Sequence, residues 1–198
     1  SRAADAVWAA FGDVPNYVEP FAGSLAVMLA RPHTPKIETA NDKDGLIANF
    51  WRAVKYSPAE VAGWADWPVN EADLHARHTW LVAQVDGLLE RLIADPEYFD
   101  PRIAGWWVWG ISAWIGNGWC SKDERLYRCA PKLSTAGHGI HARQARKKPV
   151  TGSLGRGVHS ARAASGDLFG DLADRLRAVR VCCGDWRRVL GDPSIGIN

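Results

Sequence analysis

The sequence predicts an α/β fold: a parallel sheet of βαβ construction, interrupted by a long and mostly helical insertion. Three observations carry this reading. Strand, helix, strand and helix patterns follow one another within about forty residues, which is the spacing of a βαβ unit with its right-handed crossover. From Ser57 to Ser165 no segment reads as a parallel strand, and apolar residues fall at helical intervals instead. A capped helix beginning near Ser165 then leads into Arg180-Val181-Cys182-Cys183, an apolar run that reads as a return to the sheet.

Taken in order, Ala3 to Phe11 has helix-forming composition and stops at Gly12-Asp13. Pro15-Asn16 turns the chain into Tyr17-Val18-Glu19, a short strand, and Pro20-Phe21-Ala22-Gly23-Ser24 follows as a tight loop. Leu25 to Ala30 is helical until Pro32 ends it. Lys36 to Ala40 is a second strand closing on Asn41-Asp42. Gly45 to Lys55 is a helix with Leu46, Ile47, Phe50 and Val54 on one face. Asn70 and Asp73 resemble a capping box, and Leu74, Leu81, Val85, Leu88, Leu89 and Leu92 continue at helical spacing to Ala94. A tryptophan-rich helix or turn comes next, holding Trp106, Trp107, Trp109, Trp114 and Trp119. Ser134 to Ser165 is rich in Gly, Ser, Arg and Lys and reads as loop. Leu168, Phe169, Leu172 and Leu176 mark one face of the last helix.

Charge is distributed unevenly. The net charge is only +2, yet ten lysines and arginines face two acids between Ser121 and Ser165. A basic segment on an acidic body points to a polyanion partner for that segment. No apolar stretch reaches the roughly 18 residues that a membrane span needs. Four cysteines, two of them adjacent (Cys182 and Cys183), do not form a secreted disulfide pattern, so the expected setting is cytoplasmic with reduced thiols. Cys182 and Cys183 are expected to be small core residues.

The chemistry-bearing segment is the first loop. A strand running into small residues and then a helix lets a ligand approach the backbone at the carboxyl edge of a sheet, where nucleotide-like cofactors bind. Asp42, about 20 residues beyond the glycine loop, is placed to accept from ribose hydroxyls. The same residues also suit a plain strand-to-helix turn and an Asn-Asp helix cap.

Tyr17-Val18-Glu19-Pro20-Phe21-Ala22-Gly23, Thr39-Ala40-Asn41-Asp42 and the helix with Asn49-Phe50-Trp51 resemble the DNA adenine methylase family, which includes the GATC-methylating enzymes. Gly184-Asp185-Trp186 resembles that family's adenine-contacting element. The resemblance implies an incomplete Rossmann-like S-adenosylmethionine methyltransferase core with a mostly helical inserted target-recognition region. Residues 1–56 would be the cofactor-binding part, 57–165 the insertion (basic from about residue 121) and 166–198 the return to the core. It further implies S-adenosylmethionine as cofactor, held by Glu19, Pro20, Phe21, Ala22, Gly23, Ser24, Asn41, Asp42, Asp185 and Trp186.

The family has a second glycine two positions after Gly23, where this chain has Leu25. Its aromatic-x-Gly-Gly-Lys opening and its Asp-Pro-Pro-Tyr motif do not occur in these 198 residues, and Asp192-Pro193-Ser194-Ile195 is no substitute. In that motif the acid or amide and a proline carbonyl orient the flipped adenine's amino group, while the aromatic stacks on the base. The expectation is therefore an adenine methyltransferase whose present chain is an inactive fragment. Alternatives are a DNA-binding remnant and a methyltransferase of the same fold acting on another substrate.

The expected partner is double-stranded DNA, with a cognate restriction endonuclease as functional counterpart, and the chain is expected to be a monomer. Lys132, Arg143, Arg146, Lys147, Lys148, Arg156 and His159 are the candidates for DNA contact. The tryptophan cluster suits core packing better than base stacking, because its neighbours are Ile, Val, Ala and Gly. Cys120, Cys129, His138 and His141 have eight, eight and two residues between them. That spacing matches no usual zinc pattern, and no metal is expected.

Overall fold

The structure is a computed structural model that describes residues 2–114, 118–121 and 167–191. It is a mixed α/β arrangement built on a small parallel sheet. The chain runs through α1 (Arg2–Phe11), β1 (Asn16–Glu19), α2 (Ala26–Leu29), β2 (Ile37–Asp42), α3 (Gly45–Tyr56), α4 (Pro58–Ala65), α5 (Glu71–Ala94) and α6 (Pro101–Ala113). After residues outside the description come α7 (Leu168–Leu176), β3 (Val179–Cys183) and α8 (Arg187–Leu190). The sheet order is β1-β2-β3 with every pair parallel. Ala40 stands opposite both Glu19 and Val181, where β1 ends, and β2 and β3 run two residues further to the pair Asp42 and Cys183.

Local chemistry explains most of the boundaries. On α1, Ala4 and Trp8 lie one turn apart on the buried face, and Gly12 closes the helix at φ +65° with its N–H on the Trp8 carbonyl. Asp44 caps α3 by accepting from the Leu46 N–H at 2.8 Å. Asn70 caps α5 by accepting from the Asp73 N–H at 2.8 Å, so the anticipated cap is present. Asp100 caps α6 and is followed by Pro101 at the first helical position. The expected return strand is β3, and no strand occurs among the described residues between 57 and 121.

Helix α3 is the centre of the molecule. Gly45, Leu46, Ala48, Asn49, Phe50, Trp51, Arg52, Ala53 and Val54 are all buried, as expected for a helix covered on every side. The sheet lies along one side of it and α5, α6 and α7 along others. Asn49 docks the start of α6, donating to the Asp100 carbonyl at 2.9 Å and accepting from the Asp100 N–H at 2.7 Å. Core residues Val61 of α4, Ala104 of α6 and Phe169 of α7 join Val54, Ala40 and Leu25 in one cluster.

Two charge arrangements hold the sheet, the first of them around a buried carboxylate. Under it, Glu38 accepts from Arg175 through both oxygens, at 2.6 and 3.0 Å, and from Arg31 at 3.3 Å. Arg175 also donates to the Met28 carbonyl, tying α7 to α2. Along the outer edge of β3, Lys55, Arg52 and Arg188 donate to the carbonyls of Val179, Val181 and Cys183 at 2.8, 3.0 and 2.6 Å. Three cations thus cap alternate carbonyls and seal that edge against further pairing. The face bearing Asn16, Val18, Thr39, Arg180 and Cys182 lines an open hollow of about 420 Å³. Cys183 is buried as expected, whereas Cys182 faces that hollow and is only half-buried.

Candidate functional site

The carboxyl ends of the three strands meet at one point, and their loops are bonded directly to one another. Ala22 N–H donates to the Asn41 carbonyl at 2.8 Å, and Gly23 N–H donates to Asp42 Oδ2 at 3.0 Å. Gly184 N–H donates to the Asp42 carbonyl at 2.9 Å. The anchor is Asn41, 1% exposed, whose amide donates to the carbonyls of Pro20 at 3.1 Å and Gly184 at 3.0 Å. Its Oδ1 is buried without a hydrogen-bond partner among the described residues. One side chain therefore clamps the loops that follow β1 and β3.

The loop after β1 is built for close approach. Gly23 has φ +46°, and a Cβ placed on it would meet nothing within 4 Å. Its carbonyl accepts from Trp51 Nε1 of α3 at 2.8 Å, which fixes the loop from below. Leu25, at the position where the resembled family has glycine, lies at φ 52°, a left-handed backbone that disfavours side chains. Its side chain is wholly buried in the core. Phe21 and Ser24 are exposed and Ala22 is buried.

Glu19 ends β1 half-buried, accepting from the Met28 N–H at 2.9 Å. Burial pushes its carboxyl above the ordinary range, opposed by that hydrogen bond and by the Tyr17 hydroxyl. Asp42 ends β2, with Oδ2 on Gly23 and Oδ1 accepting from the Asp44 N–H at 2.9 Å. A carboxylate has about four lone-pair sites, so roughly two remain for a ligand. Beyond β3, Asp185 accepts from the Arg187 N–H at 3.0 Å, and the exposed Trp186 ring has the Arg187 guanidinium 5.2 Å from its centroid.

The structure brings Pro20, Ala22, Gly23, Asn41 and Asp42 into one bonded cluster, with Gly184 added from the turn after β3. Sequence reasoning treated Asn41 as a ligand contact; the structure gives it a clamping role. It quoted Trp51 and Gly184 within motifs but gave them no part in holding the loops, because their bonding partners lie far away in the chain. Lys132, Arg143, Arg146, Lys147, Lys148, Arg156 and His159 lie outside the described residues, as do Cys129, His138 and His141. Cys120 is buried, burial pushes its thiol up, and its N–H donates to His78 Nδ1 at 3.2 Å. His78 stacks on Trp114 with centroids 4.9 Å apart, and burial lowers its pKa. Among the described residues no group of three or more His, Cys, Asp or Glu side chains is placed to hold a metal. Nor is any helix among them long and apolar enough to cross a membrane.

Trp109 and Trp114 are core residues, as the sequence led us to expect, while Trp106, Trp107 and Trp119 are half-buried. No family model, curated protein or solved structure matches the chain.

Proposed function

We propose that this chain is the cofactor-binding part of an S-adenosylmethionine-dependent DNA adenine methyltransferase. The observation that carries the reading is the bond between Gly23 N–H and Asp42 Oδ2 at the joined tips of β1 and β2. A glycine loop beside a carboxylate, both at the carboxyl ends of parallel strands, is the usual seat of a nucleoside in α/β sheets. The spatial order β1-β2-β3 also agrees with one half of a doubly wound Rossmann-like sheet.

The residues present fit such a group. Open space above Gly23 admits a ligand against the backbone, and Asp42 retains lone pairs for a diol. Phe21 and Trp186 offer exposed rings, one in the loop after β1 and one in the turn after β3, for an adenine or an apolar edge. The cofactor would supply an electrophilic methyl on a sulfonium. The chain's own residues would bind and orient it, with Asp42 on the sugar and the 20–24 loop against the remainder. Without an Asp-Pro-Pro-Tyr motif the chain lacks the groups that orient an adenine amino group. It is expected to bind cofactor without transferring its methyl.

Calorimetry with S-adenosylhomocysteine tests binding. The wild-type chain should give a saturable signal, and Asp42→Ala should weaken it by about tenfold or more, because a charged acceptor is lost. A folded wild-type chain with no saturable heat refutes the cofactor reading. Incubation with labelled cofactor and duplex DNA should give no incorporation above a no-protein control, and clear incorporation would refute the assignment of inactivity.

A further inference from the structure

A second hollow lies away from the strand tips, between α4, the turn after it, α5 and α6. Its volume is about 500 Å³, within the range of small-molecule sites, and it is lined by Glu60, Gly63, Trp64, Trp67, Arg77 and Trp106. Arg77 is 8% exposed. Its guanidinium carbon sits 4.2 Å from the Trp109 ring centroid, 4.9 Å from Trp106 and 5.3 Å from Trp67. Among the described residues its buried Nη1 has no hydrogen-bond partner and Arg77 makes no ion pair. A cation held in an indole box with a spare donor calls for an acceptor.

The walls are set before any ligand arrives. Trp109 Nε1 donates to the Trp67 carbonyl at 2.7 Å, and Trp67 Nε1 donates to Asp73 Oδ2 at 3.1 Å. Arg102 lies 4.1 Å from the Trp106 centroid and 5.4 Å from that of Trp64, a second cation against the same two rings. Trp64 and Trp67 are nevertheless 40% and 49% exposed, so each leaves ring surface open. Glu60 supplies the opposite polarity: its Oε1 accepts from Ser57 Oγ at 2.7 Å, which leaves Oε2 available.

We propose that this hollow binds a guanine base, stacked on the exposed tryptophans, with acceptors O6 and N7 toward Arg77 and donors N1–H and N2–H toward Glu60. Guanine presents two adjacent acceptors, the pairing that arginine reads most often, and two adjacent donors that suit a carboxylate. Adenine keeps N7 but places an amino group where guanine has O6, has a lone pair where guanine has N1–H and lacks the N2 amino group, so the arginine contact loses one acceptor to a repulsive donor and the carboxylate contact is lost. Stacking alone would not distinguish the two, because every base has a π face. The base can come from a free nucleotide or from an unpaired position in a nucleic acid. This site shares no residue with the strand-tip cluster and does not rest on the methyltransferase reading.

Titration of the full chain with GMP and AMP, followed by tryptophan fluorescence, tests the assignment. Saturable quenching by GMP is expected, with AMP weaker by about tenfold or more. Arg77→Met should abolish the GMP response. Glu60→Gln, at an exposed position, should keep folding and shrink the preference for GMP over AMP. Near-UV circular dichroism establishes that each variant is folded. A short single strand containing one guanine among thymines, compared with all-thymine, identifies the source: tighter binding than GMP means a base within a strand, equal binding a free nucleotide. S-adenosylhomocysteine binding should persist with saturating GMP present, which separates the two sites. A folded wild type that shows no saturable GMP response, equal responses to GMP and AMP, or an unchanged response in folded Arg77→Met overturns the proposal.

Discussion

Asn41 is the residue on which the geometry of the strand tips turns, and its removal has a calculable cost. Its amide donates to the Pro20 and Gly184 carbonyls, and the bond to Gly184 spans 143 positions of sequence. In Asn41→Ala the Gly184 carbonyl is left buried without that donor, at about 1–3 kcal/mol, while the partly buried Pro20 carbonyl loses about 0.5–1.5 kcal/mol. Losing the unpartnered Oδ1 returns part of this, so the net cost should be about 2 kcal/mol. Asn41→Asp has nearly the same shape but points a carboxylate at two carbonyl oxygens in a buried site, and should cost about 3–5 kcal/mol at neutral pH. Because burial raises such a carboxyl's pKa in the folded state, its stability should be greatest below the ordinary carboxyl range and lost as pH rises. Urea unfolding at several pH values reads both effects. With slopes of about 1–3 kcal/mol per molar, a 2 kcal/mol loss moves the midpoint by roughly 1 M. If Asn41→Ala shifts stability by less than about 0.5 kcal/mol, or Asn41→Asp is no worse than Asn41→Ala at pH 7, the clamp is not what joins the loops.

Leu25 sets backbone strain against core burial, and the two separate by substitution. Leu25→Ala should cost about 2–5 kcal/mol by emptying a buried site, whereas Leu25→Gly, despite removing more, should be about as stable or up to roughly 1 kcal/mol better, because glycine accepts φ 52° freely. Thermal melts of the pair decide it, and Gly falling well below Ala would contradict the left-handed backbone. Glu38→Gln should destabilise by up to about 3 kcal/mol, since it removes the buried carboxylate shared by Arg31 and Arg175 and leaves Arg31 only its longer contact with Asp13; a near-neutral chemical denaturation result would refute the buried pairing. Glu19 carries a carboxyl raised by burial, so its contribution should be fully present below the ordinary carboxyl range and lost as pH rises through its folded value. Glu19→Gln keeps an acceptor for Met28 N–H, so the stability difference between the variant and wild type should grow in the variant's favour from pH 4 to pH 7. A difference that stays flat or reverses in that window would count against a buried carboxyl.

Much of the α/β frame could be read from local sequence. Gly12, Pro15 and Pro32 punctuate the first βαβ unit, and the apolar periodicity of α3 and α5 needed no knowledge of partners, but the cap of α3 is Asp44 and not the Asn41-Asp42 pair that the sequence offered. The strand at 179–183 was legible for the same reason, as a short apolar run behind a capped helix. Helix α4 was not, although Pro58 at its first position is a start signal. Its eight residues carry apolar side chains on more than one face and a glycine within, so no clean period stands out. The Glu19-Pro20-Phe21-Ala22-Gly23 loop and Asp42 announced themselves because a strand, a small-residue turn and an acid are adjacent features of one stretch of chain.

What the sequence by itself determined was the kind of element at each place and the residues able to end it, since turn chemistry, capping and periodicity act over a few residues. Tertiary structure alone decided which ends meet. Asn41 read as a cofactor contact at the end of a strand until Gly184 lay beside it, and nothing local marked Lys55, Arg52 and Arg188 as the partners of the β3 carbonyls. Arg77 sat in α5 like any helical arginine, and only the packing of α4 and α6 enclosed it in tryptophan. The physical reason is one of range: a backbone turn depends on its own dihedrals, whereas the desolvation of a donor or a charge depends on whatever distant segment folding lays against it.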